Sequence, residues 1–368
     1  MKILLIGGTG AMGSHLTEIL ASNKNNEVFI TTRKKRESIG NIFYIVGNAH
    51  DNNFLKTLLK DNWDVIVDFM VYNTNEFRSR IIDLLNSCKQ YVFLSSSRVY
   101  ADSNTPIREV DKRLLDVCKD REYQLTDEYA LTKARQENIL QESGKSNWTI
   151  IRPYITFAEN RLQLGVLELQ DWLYRALLGH TIVFSEDISQ RYTTLTYGYD
   201  VARGIASILG NEKAFGRAFH ITQSKSMKWV EILNIYLDII LNETGIKPKV
   251  KMVAEHPYVT DKGRRYQVIY DRRYNRKFDN SAINEFIDTS SFLSTEEGIK
   301  KSLTTFIKQN KGKKFTLNPS HEGKYDRITN ERTSLALFDG IKSKTIYLLE
   351  RYFPYVNSSL RTIKNLIK

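Results

Sequence analysis

Lys2-Ile3-Leu4-Leu5-Ile6-Gly7-Gly8-Thr9-Gly10-Ala11-Met12-Gly13 stands at the head of the chain, and its reading decides the fold. A short apolar run without alternation, stopping at glycines, is the pattern of a parallel strand buried on both faces. Leu16, Ile19 and Leu20 then fall at helical spacing within Ser14 to Ser22. Working outward, strands are expected at Val28 to Thr32, Phe43 to Val46, Val65 to Phe69, Tyr91 to Ser95 and Trp148 to Ile151. Helices are expected between them at Phe54 to Leu59, Phe77 to Leu85 and Asp127 to Gln141. Alternation of this kind predicts an α/β fold with a doubly wound parallel Rossmann sheet. Residues 1–151 form the dinucleotide-binding portion, with returning segments around 190–222. After Arg152-Pro153 the regularity fades, with amphipathic helices expected at Leu167 to Leu178 and Trp229 to Leu241. Residues 152–312 are read as a smaller mixed substrate-binding portion, and 313–368 as a basic extension with a helical run at Thr345 to Phe353.

The 368 residues suffice for one large or two ordinary domains. Apolar and charged fractions of 41% and 26% exclude a disordered or fibrous chain. No apolar run approaches the ~18 residues of a membrane span, and four apolar residues before Gly7 are too few for a signal-peptide core. Cys88 and Cys118 lack metal-ligand spacing and suit a reducing compartment, so a cytoplasmic protein is expected. The six histidines are scattered, and no metal is expected. Half of the net charge of +12 lies in residues 313–368, where eleven Lys or Arg meet five Asp or Glu. A solvated basic surface is the favoured reading there, over nucleic acid or membrane contact.

Three stretches carry chemistry. A phosphate can approach the backbone of Gly7, Thr9, Gly10, Ala11, Met12 and Gly13, because the turn is glycine-rich and the following helix offers unpaired N–H groups. Where an NAD site would place a carboxylate after the second strand, the sequence reads Thr31-Thr32-Arg33-Lys34. Arg33 can pair with a 2′-phosphate, so NADP is expected, with NAD as the alternative. Tyr129 and Lys133 lie four apart on a helix, hence on one face, where the ammonium can lower the phenol's pKa and hold a nicotinamide ribose. Ser95, Ser96 and Ser97 put hydroxyls at the C-terminal end of a parallel strand, where such sheets bind ligands.

Together these residues resemble the extended short-chain dehydrogenase/reductase family of nucleotide-sugar epimerases, dehydratases and reductases. Gly7, Gly10 and Gly13, Ser95 to Tyr100, Tyr129 with Lys133, Arg152-Pro153 and Tyr199-Asp200-Val201-Ala202 carry the likeness. The resemblance implies that Ser96 bonds the substrate oxygen, that Tyr129 is the acid/base and that Lys133 is its electrostatic partner. It also places Asn48 near adenine and makes Arg191 a diphosphate contact. It implies hydride transfer on a nucleotide-activated sugar, by an epimerase or keto-sugar reductase, and a homodimer is expected.

Two departures stand out. Ser97-Arg98 replaces the Asp-Glu of family 4,6-dehydratases, which disfavours that reaction. The fourth strand ends Asp68-Phe69-Met70-Val71-Tyr72, similar to a side branch that includes chloroplast stem-loop RNA-binding proteins. A non-catalytic dinucleotide-binding regulator or RNA-binding protein is the alternative function. The segment from Arg264 and Arg265 to Arg276, with interleaved tyrosines, has three readings: a grip on a sugar-nucleotide pyrophosphate through Arg265, a single-stranded RNA surface, or an exposed basic face.

Overall fold

Ile3, Leu4, Leu5 and Ile6 are all fully buried, as an unalternating apolar strand requires. They belong to strand β1 (Lys2–Ile6), the centre of a seven-stranded sheet in the computed structural model, which describes residues 1–354. The other strands are β2 (Glu27–Thr32), β3 (Ile42–Val46), β4 (Trp63–Asp68), β5 (Cys88–Leu94), β6 (Trp148–Pro153) and β7 (Arg217–Ile221). Their spatial order is β7-β6-β5-β4-β1-β2-β3, and every neighbouring pair is parallel. Leu4 stands opposite Phe29 on one side and Ile66 on the other. The direction of chain progress reverses between β1 and β4. Such a switch point opens a crevice outside the carboxyl ends of the strands.

Four helices matter for the site: α1 (Ala11–Ser22), α2 (Asn52–Leu58), α3 (Thr74–Asn86) and α4 (Tyr129–Gln141). Ile3, Leu5, Val65 and Val67 pack with Leu16 and Leu20 of α1 and with Val201 and Ile205 of the helix Gly198–Ile208. Leu4, Ile6 and Ile66 face the other way, with Leu55 of α2, Phe77 and Ile81 of α3 and Leu140 of α4. Side chains alternate across a strand, so one apolar run serves two cores. Asp51 and Asn73 start α2 and α3 by accepting first-turn backbone N–H groups, and the carboxylate of Glu128 does so for α4.

The chain divides into two units. The first holds the sheet and comprises Met1–Ala158, Tyr192–Met227 and Ile269–Gly298. The second comprises Glu159–Arg191, Lys228–Val268 and the chain from Ile299 onward. Within the second, Ile182–Ser185 pairs in parallel with Val250–Val253. The helix Gly340–Tyr352 covers the run expected at Thr345 to Phe353 except Phe353, its C-cap, and packs on the helix Pro319–Thr329. The rest of the basic extension, from residue 355, lies outside the described residues. Among the described residues no helix is long and apolar enough to cross a membrane.

Candidate active site

The glycine turn joins β1 to α1 and uses its glycines in different ways. Gly7 has φ +72°, and a Cβ there would meet Met70 Sδ at 2.8 Å. Its N–H donates to Thr31 Oγ1 at 2.8 Å, tying the turn to β2. A Cβ on Gly13 would lie 2.4 Å from the Gly8 carbonyl oxygen, so helix and turn touch backbone to backbone. A Cβ on Gly10 would meet nothing within 4 Å. Gly10 is also the N-cap of α1 and supplies no side-chain acceptor, so the first-turn N–H groups of that helix stay available beside open space. Thr9 and Gly10 are exposed there, and Ala11 and Met12 are half-buried. A cleft of about 240 Å³ adjoins the turn, lined by Gly7, Thr9, Thr32, Arg33, Asn48 and His50 among others. Arg33 is exposed and makes no side-chain hydrogen bond or ion pair among the described residues. Asn48 turns its carbonyl oxygen onto the His50 N–H at 3.2 Å.

The three serines after β5 differ in what their hydroxyls do. Ser95 Oγ donates to Glu137 Oε1 at 2.6 Å, and Ser97 Oγ donates to the Arg152 carbonyl at 2.6 Å. Ser96 Oγ instead accepts the Arg98 N–H at 3.2 Å, capping a 3₁₀ turn over Ser97–Val99. Among the described residues its own proton has no acceptor, which sets Ser96 apart from its neighbours.

Lys133 is 1% exposed, and its Nζ donates to the Leu94 carbonyl at 2.7 Å. That contact uses one of three ammonium protons. Nζ also lies 4.5 Å from the Phe93 ring centroid and 6.0 Å from that of half-buried Tyr129. Burial pushes the Lys133 ammonium down to about 8, against a pull upward from Asp68 and Glu137. Lys133 and Tyr129 share a cleft of about 260 Å³ with Tyr72, Asp127 and Thr132. Asp68, at the end of β4, is fully buried and accepts from Tyr91 Oη at 2.9 Å and Tyr72 Oη at 3.4 Å. Burial raises its pKa, and those hydrogen bonds oppose the rise.

Glu137 was not singled out from sequence, although it is one more i+4 step along the stripe of Tyr129 and Lys133. It is buried and receives Arg152 Nε and Nη2, both at 2.8 Å, as well as Ser95 and Arg113. Arg152 reaches on to Tyr100 Oη at 3.0 Å, so these residues fasten the ends of β5 and β6 to α4.

The basic, tyrosine-rich segment is partly committed. Arg276 is fully buried on Asp271 and the Tyr100 and Ala101 carbonyls, and Arg272 also pairs with Asp271. Tyr270 stacks on Tyr123 with centroids 4.4 Å apart. Arg191 and Arg265 belong to the second unit. There Arg191 is exposed, and the Arg265 guanidinium lies on the Tyr266 ring, 4.4 Å from its centroid. Also in that unit, His180, Glu322 and Asp326 come close enough to share an ion, but the Arg175 guanidinium already sits on both carboxylates.

A parallel sheet with an open glycine turn at its switch point, and a hydroxyl, phenol and ammonium carried by the turn after β5 and by α4, defines a class. The sequence model of the NAD dependent epimerase/dehydratase family matches residues 3–221, and the chain belongs to that family. Among curated proteins it is similar to the chloroplast stem-loop binding protein of 41 kDa b of Arabidopsis thaliana, at 25% identity over 240 residues. That match covers 61% of this chain and spans 59% of the plant protein's length. Among solved structures it resembles UDP-glucuronic acid 4-epimerase from Bacillus cereus, in complex with UDP-glucuronic acid and NAD. The TM-score is 0.65 at 16% identity, over 84% of this chain and 99% of that one. The dTDP-glucose 4,6-dehydratase of Bacillus anthracis, in complex with NAD, gives 0.63 at 16% identity over 85% and 99%. At such identities the structures speak for the fold.

Proposed function

We propose that the chain catalyses NAD(P)-dependent hydride transfer on a nucleotide-activated sugar, as an epimerase or a keto-sugar reductase. The carrying observation is that one unit holds a bare, uncapped glycine turn together with Ser96, Tyr129 and Lys133. The seat fits a dinucleotide: Gly10 leaves room for a pyrophosphate, and α1 offers it N–H groups. Thr9, Ala11, Met12 and Asn48 would line the rest, while Arg33 would meet a 2′-phosphate and so favour NADP. Once bound, the nicotinamide supplies or accepts the hydride.

The chain's own residues manage the proton and the oxygen. Tyr129 holds or takes the proton of the reacting hydroxyl, as general acid or base. Ser96 donates its unspent proton to the same substrate oxygen. Lys133 keeps a positive charge near the phenol, and its two remaining N–H groups can serve a ribose. Arg98, standing where a dehydratase would carry a carboxylate, supports epimerisation or reduction over loss of water. Arg191 and Arg265 are proposed contacts to the sugar nucleotide.

A second reading, a stem-loop-binding or regulatory dinucleotide protein, draws on the plant relative's name and on the ending Asp68 to Tyr72. A panel of nucleotide sugars and their 4-keto derivatives, followed by cofactor absorbance and product chromatography, separates the two. Turnover is expected in the unmodified protein, with kcat lower by roughly 10²–10⁴ in Tyr129→Phe, the range of general acid–base catalysis. No turnover on any panel member, together with tight RNA binding, would favour the second reading.

A further inference from the structure

Arg98 touches both partners of the proposed acid/base pair. Its backbone N–H bonds Ser96 Oγ at 3.2 Å, and its guanidinium carbon lies 5.4 Å from the Tyr129 ring centroid. Its Nη2 pairs with Glu128 Oε1 at 2.5 Å. The other oxygen of Glu128 accepts the Ala130 N–H at 2.8 Å and Tyr123 Oη at 3.1 Å. One ion pair therefore joins the serine turn to the first turn of α4. Arg98 Nε is buried, 3.7 Å from Asp271 Oδ2, and makes no hydrogen bond among the described residues.

We propose that Arg98 is a positioning residue of this pair: its backbone aims the Ser96 proton outward, and its guanidinium favours the ionised form of the Tyr129 phenol. The inference rests on reading Tyr129 as the acid/base. Among the described residues, the charged and titratable groups near the phenol include Lys133 on the same helix, Arg98 on the serine turn, Asp127 and Glu128 before α4, and Tyr72 across the cleft. Asp271 faces Arg98, and Asp68 and Glu137 act on Lys133. The two cations near the ring favour the phenolate, while Glu128 and Asp127 oppose it. The effect of Arg98 is therefore one of charge and has a sign, whereas a mere fastening of turn to helix would have none.

The test uses the full chain with tyrosine carrying carbon-13 at the ring carbon that bears the hydroxyl. The Tyr129 resonance is the one lost in Tyr129→Phe. Removing the cation in Arg98→Met is expected to move the Tyr129 titration to higher pH by about one unit or more. Arg98→Lys, which keeps charge without the fork, should recover most of that shift. Glu128→Gln breaks the same ion pair but keeps the guanidinium and removes a carboxylate that opposes the phenolate, and should move the titration to lower pH. Shifts of the same sign in Arg98→Met and Glu128→Gln, or no shift in either, would overturn the assignment. The sugar-nucleotide panel stays an independent readout. Opposite shifts without turnover uphold the role of Arg98 and fail hydride transfer; turnover with a titration indifferent to Arg98 does the reverse.

Discussion

Lys133 in the first unit and Arg175 in the second are both buried cations, yet their surroundings differ in kind. Arg175 is fully buried among carboxylates: Glu322 at 2.5 Å, Asp326 at 2.9 Å and Glu331 at 3.3 Å. Its Nε also donates to the Thr181 carbonyl at 3.2 Å. Among the described residues Lys133 has one side-chain hydrogen bond, to a neutral carbonyl, with Asp68 and Glu137 acting at a distance. A buried charge matched by direct partners holds the fold. A buried charge left with unspent donors is costly to the fold unless something else uses it. The contrast sets Lys133, which keeps donors unspent among the described residues, apart from Arg175, a fastener. Exposed Arg33, with no ion-pair partner among the described residues, is a third case.

Exchanging each cation should separate these roles. The largest effect is expected for Lys133→Met, which should lower kcat on the sugar-nucleotide panel by ~10²–10⁴ and weaken dinucleotide binding with it. Unchanged turnover would dissolve the contrast. Arg175→Met strands Glu322 and Asp326, and burial already pushes the Glu322 carboxyl up to about 7. Urea unfolding should register a loss of about 3–5 kcal/mol, with dinucleotide affinity kept below the unfolding transition. A loss under about 1 kcal/mol would show the cluster to be less than a fastener.

The next prediction concerns pH. The folded-state value of Lys133, about 8, lies below the ordinary 10.5, so between them the unfolded chain binds more protons. This residue's contribution to stability should therefore rise as pH rises from 8 towards 10.5, by up to about 3 kcal/mol. Comparing unfolding of the unmodified protein and Lys133→Met across that window isolates it; parallel curves would contradict the assigned burial. The smallest effect belongs to the exposed cation. Arg33→Ala should narrow the preference for NADPH over NADH by roughly 1.5–3 kcal/mol, read by fluorescence titration. Equal affinities in the unmodified protein would remove the NADP assignment.

What the sequence could tell follows the same division. β1 and the glycine turn are legible because a buried strand, an open turn and a helix start are local signals, complete within Lys2 to Gly13. Tyr129 and Lys133 are legible because four residues make one helical turn. By residues alone, Ser95, Ser96 and Ser97 are three equal hydroxyls; only their bonds to Glu137, Arg98 and Arg152 tell them apart. The Arg175 cluster was invisible for a different reason. In sequence Arg175 is one polar position of an amphipathic helix, and its partners lie about 150 residues away. The one available clue was Glu322 and Asp326, four apart inside a basic extension. Arg276 likewise lies in a segment that sequence leaves with three readings, because the buried Asp271 near it cannot be recognised as buried from its letter.

The glycine turn has a consequence for how the protein can be damaged. Adding one methyl group at position 10 enters open space, so the fold should survive while the room proposed for a pyrophosphate is narrowed. Adding the same methyl at position 13 drives it into the Gly8 carbonyl, and the helix must step away from the strand it follows. Three residues apart, one chemical change is expected to give either a sound protein with a narrowed turn or a disturbed one in which the turn cannot form.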